Sequence, residues 1–145
     1  MADLVELLLA HPGLYVGPQA DPDESSGKPP SVARISVTAL PGRSGVMFEY
    51  DVLSPGNGRA HHEHAVLART TTGLVLVTSH SHADTTAVLS ESEPGYFEAP
   101  DGATAFPMAI RLEVPEPGHL IYSWSYGWDK EPLRVRDVGD ARLIA

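Results

Sequence analysis

A chain of 145 residues without a single Cys has the length of one domain, and it excludes both a disulfide framework and a thiolate zinc site. Its formal charge of −9, from 19 acidic against 10 basic residues, argues against a nucleic-acid binder and against attachment to an anionic membrane. The chain also holds 13 Gly and 13 Pro, which points to many turns, and five of its seven His fall between His61 and His82.

In chain order, Leu4, Leu7 and Leu8 stand at helical spacing and Pro12-Gly13 ends the pattern, so residues 2–10 read as a short helix. Asp3 and Glu6 interrupt that apolar run and no basic residue precedes it, which is the reverse of a signal peptide. No apolar run approaches the roughly 20 residues that span a bilayer, and the expected location is cytoplasmic. A short strand follows at 14–17. Residues 18–31, with four Pro, read as a loop. Strand-like runs then recur at 32–40, 45–53, 61–69, 74–80, 85–91, 95–99, 105–114, 119–126 and 132–143. None of the connections is long enough for a crossover helix, so the sheet should be antiparallel. About ten strands and one N-terminal helix predict an all-β fold, a closed antiparallel β-barrel formed by a single domain over 1–145, because closure removes exposed edges.

The His-rich segment defines a candidate site. A three-residue loop ending at Gly73 would set His64 opposite His80 and His62 opposite His82, with all four imidazoles on one face. A loop centred on Asn57 would put Val52 beside His62, Tyr50 beside His64 and Phe48 beside Val66. That arrangement makes the His face the apolar lumen face and turns Glu63 away from it. Opposite Cβ atoms lie about 5 Å apart, close enough for four imidazoles to share a metal. A slip of one residue in either hairpin would scatter the cluster over two faces.

The candidate metal ligands are therefore His62, His64, His80 and His82, with zinc or iron suited to imidazole and Asp84 as the better-placed carboxylate. The competing readings are a polar lumen that hydrogen-bonds an organic ligand or moves a proton, and a wet cavity that binds nothing specific. His61 is expected to face solvent, and His11 and His119 to sit in loops. Gly56-x5-His62-x-His64 matches the opening of a cupin motif, but Ala-Val-Leu-Ala-Arg stands where the metal-binding Glu should follow. Tyr122, Trp124 and Tyr126, with Trp128 beyond, form an aromatic stripe that is core or ligand wall. Arg134 and Arg136 share a face that is solvated surface or, if inside, an anchor for a carboxylate. No G-x-S-x-G, P-loop or H-E-x-x-H sequence occurs.

Four segments resemble the calycin group of lipocalin-like and fatty-acid-binding-protein-like barrels, including its nitrobindin-type members. Gly13-Leu14-Tyr15-Val16-Gly17 is similar to the G-x-W-x-G entry to the first strand, and the run from His61-His62-Glu63 to Arg69 is similar to the central hairpin. Glu93-Pro94-Gly95-Tyr96-Phe97 and Leu120-Ile121-Tyr122-Ser123-Trp124 resemble later strands. The resemblance implies a ten-stranded barrel with an internal cavity for a small hydrophobic molecule. The haem-binding members carry an axial His near the C-terminus, where this chain has Asp140-Ala141-Arg142-Leu143, so haem ranks below zinc or iron as a cofactor.

The reading that follows is a barrel binding an apolar or aromatic small molecule, with Tyr50, His62, His64, His80 and His82 as polar contacts. Tyr122 and Trp124, with Met108 and Ile110, supply the wall. The alternative is a metal-dependent or His acid/base enzyme, an isomerase, cyclase or oxygenase, working in the same cavity. A third is a structural module with no ligand. Expected partners are the small molecule and, for self-association, a homodimer.

Overall fold

The computed structural model describes residues 2–23, 30–56, 58–100, 104, 106–127 and 132–145. Helix α1 (Leu4–Ala10) is capped by Asp3, whose Oδ1 accepts from the Glu6 amide at 2.8 Å. The strands are β1 (Gly13–Ala20), β2 (Ser31–Ala39), β3 (Gly45–Ser54), β4 (Gly58–Thr70) and β5 (Gly73–His80), then β6 (Ala87–Glu93), β7 (Tyr96–Glu98), β8 (Met108–Glu113), β9 (His119–Tyr126) and β10 (Arg134–Leu143). Every pairing is antiparallel between neighbours in the chain, and β1 pairs with β10, so the ten strands form a closed barrel. The expected all-β barrel with one short helix is what the chain adopts. Trp128, Asn57 and residues 24–29 of the expected 18–31 loop lie outside the described residues.

The period-two pattern places the apolar residues inside. Ile35 and Val37 of β2, Phe48 of β3, Leu67 of β4, Leu76 of β5 and Leu89 of β6 are fully buried, as are Phe97 of β7 and Ile110 of β8. The end of the barrel at which β1 starts is plugged by α1, which packs on β2 and β3. The helix turns Val5, Leu8 and Leu9 inward, whereas the spacing of Leu4, Leu7 and Leu8 suggested a face rotated by one position; Leu7 is exposed. Arg69, near the end of β4, reaches both carboxylate oxygens of Asp3 at 3.1 and 3.2 Å and ties the helix N-terminus to the wall. The helix and the large apolar side chains fill this half of the barrel, and the polar side chains collect in the other.

The structure differs from the sequence reading in the register of β4. Thr70 pairs with Gly73, so the β4–β5 turn has two central residues rather than three. The Thr70 hydroxyl donates to the Gly73 carbonyl at 2.7 Å and accepts from the Thr72 amide at 3.2 Å, which closes this shorter turn. Gly73 itself has φ 129°, a backbone conformation that side chains disfavour. On the other side, Ser54 pairs with Gly58 and a bulge follows between Val52 and Leu53, so Tyr50 faces Glu63 and not His64. Both hairpins are offset by one residue from the expected register. A one-residue offset turns every side chain of a strand to the opposite face.

Candidate functional site

The offset places His61, Glu63, Ala65 and Leu67 inside the barrel and His62 and His64 outside. Glu63, expected to point away, is fully buried at the centre of the polar half. Its Oε2 accepts from the Thr78 hydroxyl at 2.7 Å and from the Tyr122 hydroxyl at 2.5 Å. Its Oε1 accepts from Trp124 Nε1 at 3.0 Å and meets His61 Nε2 at 2.9 Å. Four contacts use the full hydrogen-bonding capacity of a carboxylate. They come from β4, β5 and β9, so one side chain ties together strands far apart in the chain. Burial, followed by the nearby Glu63 carboxylate, raises the Tyr122 phenol well above its ordinary range and keeps it a donor.

Rings stand around this carboxylate. His61, expected to face solvent, stacks on His82 with centroids 5.0 Å apart and on His80 at 5.9 Å, and meets Trp124 edge-on at 5.8 Å. His80 is buried edge-on to Trp124 at 4.9 Å and to Phe106 at 6.1 Å. Its Nδ1 accepts from the His82 amide at 3.3 Å, which leaves the ring proton of the neutral imidazole on Nε2. Burial lowers His80 from its ordinary value against the pull of Glu63, with His61 and His82 adding to it, and burial and then His61 lower His82 against Asp137 and Glu63, so both rings are neutral at neutral pH. Tyr50 is buried and its hydroxyl donates to the Gln19 side-chain oxygen. Gly139 makes this contact possible: a Cβ there would overlap the Tyr50 hydroxyl and the Gln19 oxygen. Beyond Gln19 lies Asp137, partly buried and raised from its ordinary value by burial, with the Tyr126 hydroxyl 3.5 Å away.

Tyr50, His80, Tyr122 and Trp124 therefore meet at one end of the lumen, with Met108 and Ile110 in its wall, and the exposed His82 stacks on His61 from the turn after β5. His62 and His64 do not join them. The proposed tetrad of His62, His64, His80 and His82 is divided by the sheet, and no group of three metal-ligating atoms forms inside the barrel among the described residues. Asp84 is exposed in the β5–β6 connection. His119, expected in a loop, is buried at the start of β9 with its Nε2 2.5 Å from Asp140. Arg134 pairs with Asp23 at 3.0 Å on the exterior, and Arg136 lies over the Tyr126 ring. Glu63 and His61 escaped the sequence reading because the two faces of β4 are nearly equal in apolar content, Ala65 and Leu67 against Val66 and Ala68. Periodicity could not choose between them, and the turn length decided.

The fold and this arrangement define a closed ten-stranded antiparallel barrel, one half packed with apolar side chains and the other organised around a buried carboxylate. The crystal structure of Rv2717c from M. tuberculosis has the same fold, with a TM-score of 0.66 over 99% of this chain and 100% of that one, at 16% identity. That likeness, at this identity, is one of fold alone. No family model matches the chain and no curated protein matches it. Among the described residues no helix is long and apolar enough to cross a membrane.

Proposed function

We propose that the polar half of the barrel binds a small aromatic molecule. The observation that carries this reading is the collection of six rings, His61, His80, His82, Phe106, Trp124 and Tyr126, at one end of a lumen whose other half is filled by side chains. Imidazoles and an indole offer ring faces and edges to a flat apolar body. The neutral His80 and His82 each add a donor or acceptor, the combination of apolar wall and few polar groups common in small-molecule sites. Glu63 serves this site indirectly, since its four bonds fix the orientation of His61, Tyr122 and Trp124 and leave it no lone pair for a ligand.

The test is a fluorescence titration with 1-anilinonaphthalene-8-sulfonate as an aromatic probe. Saturable binding of one probe per chain is expected, weakened about tenfold in His82→Ala and in Phe106→Ala and unchanged in the outward-facing His64→Ala. Binding that does not saturate, or that is equal in all three variants, overturns the reading. The acid/base alternative draws on one observation, the Glu63–His61 pair at 2.9 Å, in which a carboxylate orients an imidazole. An enzyme of that kind would lose turnover in His61→Gln while still binding its compound, whereas a carrier would lose only affinity.

A further inference from the structure

The two His excluded from the lumen form a group of their own on the outer wall. The β3–β4 register sets Glu49 directly opposite His64 and Asp51 opposite His62, and all four side chains project from the same outward face. His62 Nε2 and His64 Nε2 lie 3.1 Å apart, and His64 Nε2 is 4.0 Å from Glu49 Oε1. One ligand atom from each of Glu49, His62 and His64 falls within 4.8 Å of the others. At a tetrahedral zinc with bonds of about 2.0–2.1 Å, ligand atoms stand about 3.3 Å from one another. The two imidazole nitrogens already have nearly that separation, and the half-exposed Glu49 side chain needs only a small rotation to join them.

The second observation concerns the other nitrogen of His62. Its Nδ1 lies 2.7 Å from Asp51 Oδ1, which holds the ring proton on Nδ1 and leaves the Nε2 lone pair directed at the space shared with His64. Asp51 is held in turn by Arg59 Nε at 3.0 Å. A carboxylate behind a His, fixing its tautomer and ring plane, is the usual outer support of a metal-bound imidazole. The groups stand on two paired strands, so their spacing is set by backbone hydrogen bonds and not by a loop.

We propose that Glu49, His62 and His64 form a site for a divalent transition metal of the zinc class on the outer face of the β3–β4 ribbon, with Asp51 as the residue that positions His62. Two nitrogen donors and one carboxylate select zinc over magnesium or calcium, which require oxygen. Three ligands from the chain leave a fourth position for water or for a donor from another molecule. In this structure the two Nε2 atoms are in hydrogen-bonding contact with each other.

The experiment is equilibrium dialysis of tag-free protein against zinc, followed by cobalt substitution. One zinc per chain is expected, with the absorption bands of tetrahedral cobalt after exchange. Affinity should fall at least about tenfold in His62→Ala and in His64→Ala, and about 10- to 100-fold in Asp51→Asn, the usual cost of removing such a support. Affinity should be unchanged in the lumen variant His80→Ala. Thermal unfolding without metal checks that each variant is folded, and zinc should raise the Tm of the native chain but not of His64→Ala. Absence of stoichiometric zinc, or equal affinity in native protein and His64→Ala, overturns the proposal. So does loss of zinc in His80→Ala with retention in His64→Ala, which would return the metal to the lumen.

Discussion

The two faces of β4 carry nearly the same residues to opposite ends. Inside, His61 and Glu63 are locked among Thr78, Tyr122 and Trp124, with the carboxylate saturated and fully buried. Outside, His62 and His64 face Asp51 and Glu49 across one strand pair, exposed enough to exchange a bound ion. The chemistry of an imidazole beside a carboxylate is the same on both faces, and the solvent makes the difference. In the lumen the pair stabilises an architecture, because every unpaired polar group there would be costly. On the wall the same pair contributes little to stability and remains available to a ligand.

The largest effect that would sharpen this contrast is expected from Glu63→Ala. It leaves the donors of Thr78, Tyr122 and Trp124 without a partner, and each buried orphan costs about 1–3 kcal/mol. A loss of about 3–5 kcal/mol in urea unfolding is expected, against less than about 0.5 kcal/mol for the exposed His64→Ala. Equal losses would break the comparison. Next comes Tyr122→Phe, which removes one of the four bonds and keeps the ring packed edge-on to Phe48 and Tyr50; a loss of about 1–2 kcal/mol is expected in the same assay.

The smallest effect concerns pH. His80 lies below its ordinary value in the folded chain, because burial and then the neighbouring His61 and His82 outweigh the pull of Glu63. The unfolded chain therefore takes up a proton near pH ~6.5 that the folded chain refuses. The contribution of His80 is fully present above that pH and is lost as pH falls from it toward the folded value. Urea midpoints measured from pH 8 to 5 should decline over the lower part of this range, and His80→Gln should flatten the decline. An unchanged slope in that variant would show that the folded and unfolded chains bind the His80 proton alike.

Much of the fold was legible in the sequence, because alternation is strong where one face of a strand is clearly more apolar. Phe106, Met108, Ile110 and Leu112, or Leu120, Tyr122 and Trp124, left no doubt about their inward face, and Gly and Pro marked the turns. The site was legible only in composition. Whether His61 or His62 faces the lumen depends on a turn with two or three central residues and on a bulge beside Val52, and neither leaves a mark in hydrophobic periodicity. Thr70-Thr71-Thr72-Gly73 suits both turn lengths. The expected register turned Glu63 to the outer face, although a carboxylate can be buried once four donors surround it. Those donors come from β4, β5 and β9, so their convergence is a property of the closed barrel and not of any local segment.

Closure itself has a consequence for how the molecule is made. The ring is sealed by β1 against β10, the first and last strands, and the Leu14 amide donates to the Ala145 carbonyl at 2.8 Å. During synthesis an incomplete ring therefore presents the free edges of β1 and of the newest strand, and both persist until β10 has left the ribosome. Unpaired edges are templates for pairing with other chains. Until β9 has emerged, moreover, Glu63 has neither Tyr122 nor Trp124 as a partner. The nascent barrel is thus most exposed to misassembly just before its last strand arrives, and the supply of folding helpers at that moment is expected to govern its yield.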